Sequence, residues 1–172
     1  YENSFIWLKE AGVALPVYCV QEPELPLLLS KSTNLFKLFL SDVGLLASMY
    51  VDGLQLKILS REKDINFGAI YENVAAQELK AHGFELYYFN SKKQGELDFV
   101  IEYKGNVLPL EIKSGKAYTR HNALDNVLKD ERYAIPQAFV FCNKNISTQE
   151  KIAYLPIYMI GFLEKEKIEE YI

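Results

Sequence analysis

Sulfur is scarce in this chain, with two cysteines and two methionines in 172 residues. Cys19 and Cys142 stand far apart and share no metal-ligand spacing. A disulfide scaffold or a zinc ribbon is therefore excluded, and two lone thiols point to a reducing cytoplasm. No apolar run approaches the ~18 residues that a membrane span needs, and no leader pattern is visible. A basic surplus is also missing: 19 Lys and Arg face 23 Asp and Glu, for a net charge of −4 and a pI near 5.3. This disfavours a surface basic all over, as strong nucleic-acid binders have, yet leaves room for a local basic strip. Internal repeats and low-complexity tracts are lacking. Ser114-Gly115-Lys116-Ala117 is not a nucleotide-binding loop, because Leu110 stands where its first Gly should be and Ala117 where Ser or Thr should follow the Lys.

What the chain does have is apolar mass. Hydrophobic residues make up 49% and charged residues 24%, with 12 Tyr and 10 Phe, so a substantial core can form. The length suits one ordinary domain or two small ones. The chain opens at Tyr1, inside an amphipathic pattern, as a piece of a longer protein would. Tyr1–Gly12 reads as a helix end with Gly12 as its cap, and Val13–Val20 as a strand. Leu27–Leu29 and Leu35–Leu40 read as further strand, with Ser41 or Asp42 capping a short helix over Val43–Tyr50. Helix followed by hairpin is the tail of a winged-helix unit. The alternative is an extension packed on the main domain. The mixed polar stretch Val51–Asp64 marks the boundary, giving a winged-helix-like segment over 1–61 and a second domain over 62–172.

Asn66 can cap the next helix, whose stripe Phe67, Ile70, Tyr71, Val74, Ala75 and Leu79 has helical spacing up to His82-Gly83. Strands are expected over Phe84–Asn90, Glu96–Tyr103, Val107–Lys113, Gln137–Asn143 and Ile157–Ile160. A polar helix is expected over Thr119–Glu131 and a charged one over Phe162–Ile172. The order of elements gives an α/β fold with a mixed sheet flanked by helices.

The hairpin Leu97–Ile112 carries the chemistry. A two-residue turn at Lys104-Gly105 sets Leu97 opposite Ile112, Phe99 opposite Leu110 and Ile101 opposite Leu108. The same register puts Asp98 opposite Glu111, with Lys113 on the same face. A turn at Gly105-Asn106 shifts the pairing by two and preserves the faces, whereas a three-residue turn would break the clustering. Facing carboxylates repel unless a cation lies between them. A hard divalent ion, Mg²⁺ or Mn²⁺, fits oxygen ligands from Asp98 and Glu111, with the Ile112 carbonyl as a third. Lys113 could then orient or deprotonate an attacking water and offset phosphate charge. The alternative is an ordinary charged, solvated hairpin face, which Glu102 fits. Against it, Val100, Val107 and Pro109 are interleaved with the charges, and Glu111-Ile112-Lys113 lies in a strongly apolar strand. Lys92, Lys93, Lys116 and Arg120 flank the hairpin ends and could steer a phosphate, or serve only solubility. His82 is read as a helix-end cation and His121 as a surface residue near a helix start.

Asp98, twelve intervening residues and Glu111-Ile112-Lys113, within "GELDFVIEYKGNVLPLEIKSGK", resemble the PD-(D/E)XK (restriction-endonuclease-like) nuclease motif. Leu97 stands where the motif's name has proline. Glu72 in "YENVAAQEL" resembles the extra acid that these enzymes carry on their first helix. The resemblance implies that Asp98 and Glu111 are metal ligands, Lys113 the catalytic lysine and Glu72 an auxiliary acid. With "FKLFLSDVGLL" at Phe36–Leu46, the chain further resembles the C-terminal domain of unknown function behind AAA-type ATPase modules in bacteria and archaea. That likeness implies a restriction-endonuclease-like domain and a partner ATPase module in an N-terminal part outside this chain, the only place where ATP would bind; it does not supply the substrate, and DNA is the partner expected if the site is active. Oligomeric state is left open. Two functions follow: a Mg²⁺- or Mn²⁺-dependent DNA phosphodiesterase, or a non-catalytic DNA- or protein-docking module on the same fold.

Overall fold

The structure is a computed structural model and describes residues 2–49, 56, 60 and 67–165. The fold is α/β, as the element order implied. Among the described residues an eight-stranded mixed sheet is flanked by helices, with strand order β2-β1-β3-β4-β5-β6-β8-β7. Its strands are β1 (Ala14–Val20), β2 (Lys31–Leu40), β3 (Tyr87–Ser91), β4 (Gly95–Tyr103), β5 (Asn106–Lys113), β6 (Ala138–Cys142), β7 (Ser147–Gln149) and β8 (Ile152–Pro156). The helices are α1 (Glu2–Glu10), α2 (Val43–Met49), α3 (Gly68–Ala81) and α4 (Asn122–Lys129). The boundary at 61/62, the Asn66 cap and the terminal helix beyond 165 lie outside the described residues.

The helix and hairpin expected over the first 61 residues are α1, β1 and β2, and the hairpin extends the main sheet. β1 runs parallel to β3, pairing Tyr18 with Tyr87 and Val20 with Phe89. Gly12 ends α1 at φ +71°, as its cap role requires. The Asp42 carboxylate accepts the Leu45 N–H at 2.7 Å and caps α2.

Two apolar layers cover the sheet. Ala76 and Leu79 of α3 pack with Phe99, Leu110 and Ile112 on one side. Leu124 and Val127 of α4 pack with Leu97, Val100 and Val107 on the other. Each fully buried Leu or Phe contributes about 1.5–3 kcal/mol. The helix α3 is also clamped to β2: Asn73 Oδ1 accepts the Leu40 N–H at 2.8 Å, and Asn73 Nδ2 donates to the Leu40 carbonyl at 2.9 Å. Gln77 Oε1 accepts the Val43 N–H at 3.0 Å.

The β4–β5 turn has Lys104 at φ +50° and Gly105 at φ +70°, the paired left-handed residues that a tight hairpin needs. Phe99 therefore pairs with Leu110 and Ile101 with Leu108, in the register that burial favoured. Leu97 departs from it. Pairing of β3 with β4 shifts between Tyr87↔Val100 and Phe89↔Leu97, so β4 spends an extra residue there. The bulge turns Leu97 into the α4-side layer instead of beside Phe99. Gly95, just before, has φ +98°, and a Cβ there would lie 2.9 Å from the Ala123 Cβ. That close approach packs the start of β4 against α4.

Other expectations need correcting. Leu27–Ser30 is a 3₁₀ turn, and β2 starts only at Lys31. Ile157–Phe162 is also 3₁₀, and the last strand lies earlier, at Ile152–Pro156. Pro156 accounts for this, since its missing N–H and fixed φ end the ladder. The residues 163–165 are not helical.

Candidate active site

Two neighbouring strands and one helix bring the charges together. Asp98 sits in the bulged stretch of β4, where the regular ladder to β5 stops after Phe99↔Leu110. Its carboxylate takes over: Asp98 Oδ2 accepts the Ile112 N–H at 2.8 Å. Glu111, in the middle of the apolar strand β5, is 2% exposed. Lys113, two residues on and so on the same face, meets Glu111 Oε2 at 2.5 Å.

One ammonium does not balance this burial. Desolvation first, then the Asp98 charge, push the Glu111 carboxyl up to about 7, against the pull of Lys113. Burial also works against the Lys113 ammonium, but Glu111, with Asp98 and Glu72 behind it, holds it above the usual lysine value. Glu72, on α3, is half-buried and raised as well, by desolvation and then by Asp98. Asp98 thus acts electrostatically on both Glu111 and Glu72. These acids share one neighbourhood with Lys113, as a common site requires.

Two charged residues that sequence reasoning passed over also belong here. Lys37 of β2 reaches Glu96 of β4 at 2.5 Å, and both act on Glu72. Glu96, two before Asp98, was visible as a same-strand neighbour. Lys37 was not, because it enters through the pairing of β1 with β3. The loop after Lys113 is tethered by Asn143 Nδ2, which donates to the Ser114 carbonyl at 3.2 Å.

Lys92, Lys93, Lys116 and Arg120 are exposed, and among the described residues none of them forms an ion pair with the cluster. Lys93 acts instead on Asp130, beyond the end of α4. His121 is a correction: it is 7% exposed, not a surface residue. Its Nδ1 meets Asp125 Oδ1 at 3.0 Å and its Nε2 the Tyr154 hydroxyl at 2.7 Å, which ties the start of α4 to β8. His82 closes α3, with Nδ1 2.8 Å from the Leu163 carbonyl oxygen.

Among the described residues no three His, Cys, Asp or Glu side chains form a ready metal-ligand group. Asp98 and Glu111 are a pair. Each fastens one oxygen, on Ile112 and on Lys113 respectively, and after desolvation the Asp98 charge helps push the Glu111 carboxyl up to about 7.

Comparison with known families gives one match: the model of a domain of unknown function, DUF4143, over residues 67–160. No curated protein and no solved structure matches the chain.

Proposed function

The chain belongs to the DUF4143 family of domains of unknown function, and we propose that its β4–β5 site is a divalent-cation-dependent phosphodiesterase acting on DNA. The observation that carries this reading is the meeting of Asp98 and the buried Glu111 beside Lys113. The donor set is hard oxygen, and Mg²⁺ keeps several waters of its own, so two carboxylates are enough to hold it. Asp98 and Glu111 are the proposed ligands, and Mg²⁺ or Mn²⁺ the proposed ion. Bound there, such an ion would polarise a phosphate oxygen and make its water more acidic.

The protein's own residues do the rest. The Ile112 N–H holds one oxygen of Asp98 and so orients the carboxylate beside the strand that carries Glu111. Lys113 keeps Glu111 in place and carries the positive charge that a phosphate gaining negative charge requires. Glu72 is the auxiliary acid: its raised pKa makes it a better proton acceptor than an ordinary carboxylate. The resemblance to the PD-(D/E)XK motif supports this assignment of roles. The likeness that includes Phe36–Leu46 supports a place behind an AAA-type ATPase module, with ATP bound by that module alone, and the two lone thiols support a reducing cytoplasm.

The net charge of −4 favours a second reading, a docking module that binds DNA or the ATPase without cleaving. Cleavage of plasmid and branched DNA in Mg²⁺ or Mn²⁺ separates the two. The wild type should cleave, and Asp98→Ala and Lys113→Ala should not. Equal residual activity in all three proteins would reject the enzyme.

A further inference from the structure

The N-terminal hairpin contributes a charge to a site otherwise built from α3, β4 and β5. Lys37 lies on β2 opposite Val17 of β1. Its side chain passes over β3, with Nζ 4.9 Å from the centre of the Tyr88 ring, and ends on Glu96 Oε1 at 2.5 Å. The ammonium thus sits near an aromatic face as well as on Glu96, and the side chain is 23% exposed. Its strand is fixed against the helix that carries Glu72, through the Asn73 and Gln77 side chains.

We propose that Lys37 is the site's second phosphate-binding cation, taking a backbone phosphate of the nucleic acid next to the scissile one in exchange for Glu96. This rests on the phosphodiesterase reading and extends it to how the strand is held. Lys113 is committed to the buried Glu111, whereas the partner of Lys37 is 42% exposed. An ion pair so exposed contributes little to stability, so its cation can change partner easily. Lys37 also draws Glu72 down while Glu96 pushes it up, so both charges lie within electrostatic reach of Glu72. The N-terminal hairpin is then part of the substrate channel and not only an added edge of the sheet.

The test is duplex-oligonucleotide binding in Ca²⁺, followed by anisotropy between 50 and 200 mM salt. The proteins are wild type, Lys37→Met, Lys37→Arg and Glu96→Gln, with cleavage in Mg²⁺ measured alongside. Lys37→Met keeps an unbranched side chain of similar length and removes the charge. It should weaken binding roughly 3–10-fold and flatten the plot of log K against log salt by about 0.9. Lys37→Arg should restore both, and Glu96→Gln should tighten binding. A merely structural Lys37 would lower the Tm of Lys37→Met without changing the salt slope. A wild-type slope in Lys37→Met, or an Arg variant as weak as Met, overturns the inference. If the wild type binds with the expected Lys37 effect but never cleaves, the phosphodiesterase reading fails and the role of Lys37 stands. If cleavage persists and the slopes agree, Lys37 fails alone. No binding by the wild type overturns both.

Discussion

Asp130 and Glu111 are two carboxylates of one fold, each beside a cation, and their acidities are moved in opposite directions. The Arg132 side chain donates to Asp130 at 2.9 and 2.7 Å, and the Gln94 amide at 2.9 Å. The Arg132 hydrogen bonds hold the Asp130 carboxyl down to about 2. Glu111 is buried, with one ammonium beside it and the Asp98 carboxylate near it, and it rises to about 7. Every oxygen of the first acid has a donor, so that region is complete and serves the fold. The second is a charge deficit inside an apolar strand. Structural networks are seldom left so, whereas functional sites often are.

The sharpest break of this contrast is activity. Asp98→Ala, Glu111→Ala and Lys113→Ala should each lower metal-dependent cleavage by about 10²–10⁴-fold. Asp130→Ala should leave kcat nearly unchanged. Equal losses in both groups would abolish the distinction. Next in size is stability. Asn73→Ala leaves the Leu40 N–H and carbonyl without their partner and should cost about 2–4 kcal/mol in urea unfolding. Glu72→Gln, one residue away, should cost little or stabilise, because it removes a raised carboxylate.

The two acids should also differ in the sign of their pH dependence. Glu111 has a folded value raised above its ordinary 4.5 to about 7, so the folded protein holds an extra proton between those values. Stability therefore falls as pH rises from about 4.5 to about 7, by about 3 kcal/mol. Glu111→Gln should flatten this limb in unfolding curves at pH 5 to 8. Asp130 is lowered from 3.8 to about 2, so its contribution is present above 3.8 and is lost as pH falls through about 2. Asp130→Asn should flatten only the acid limb. The smallest effects belong to Lys92, Lys93, Lys116 and Arg120. Each Ala variant should change cleavage only a few-fold and stability by less than about 0.5 kcal/mol.

Local pattern was enough for part of this picture. The Lys104-Gly105 turn and the apolar alternation fixed Phe99 against Leu110, and with them the grouping of Glu111 and Lys113. Leu97 was misplaced because a bulge, held by the Asp98 carboxylate in place of a backbone partner, breaks alternation without a sign in the composition. The last strand was set too late because Ile152–Ile160 is nearly continuous apolar sequence, where strand and helix periods look alike. His121 looked like a surface residue since its partners Asp125 and Tyr154 meet it only in the folded chain. Lys37 was out of reach for the same reason: its place depends on β1 pairing with β3 across the long separation from Tyr18 to Tyr87.

The central claim is that Asp98 and Glu111 form a divalent-cation site, and calorimetric titration of Mn²⁺ into the protein tests it most directly. The wild type should bind one equivalent near neutral pH and release protons as Glu111 ionises, and Asp98→Asn should lose that binding. A wild type that binds no Mn²⁺, or an Asp98→Asn variant that binds it equally well, would contradict the account.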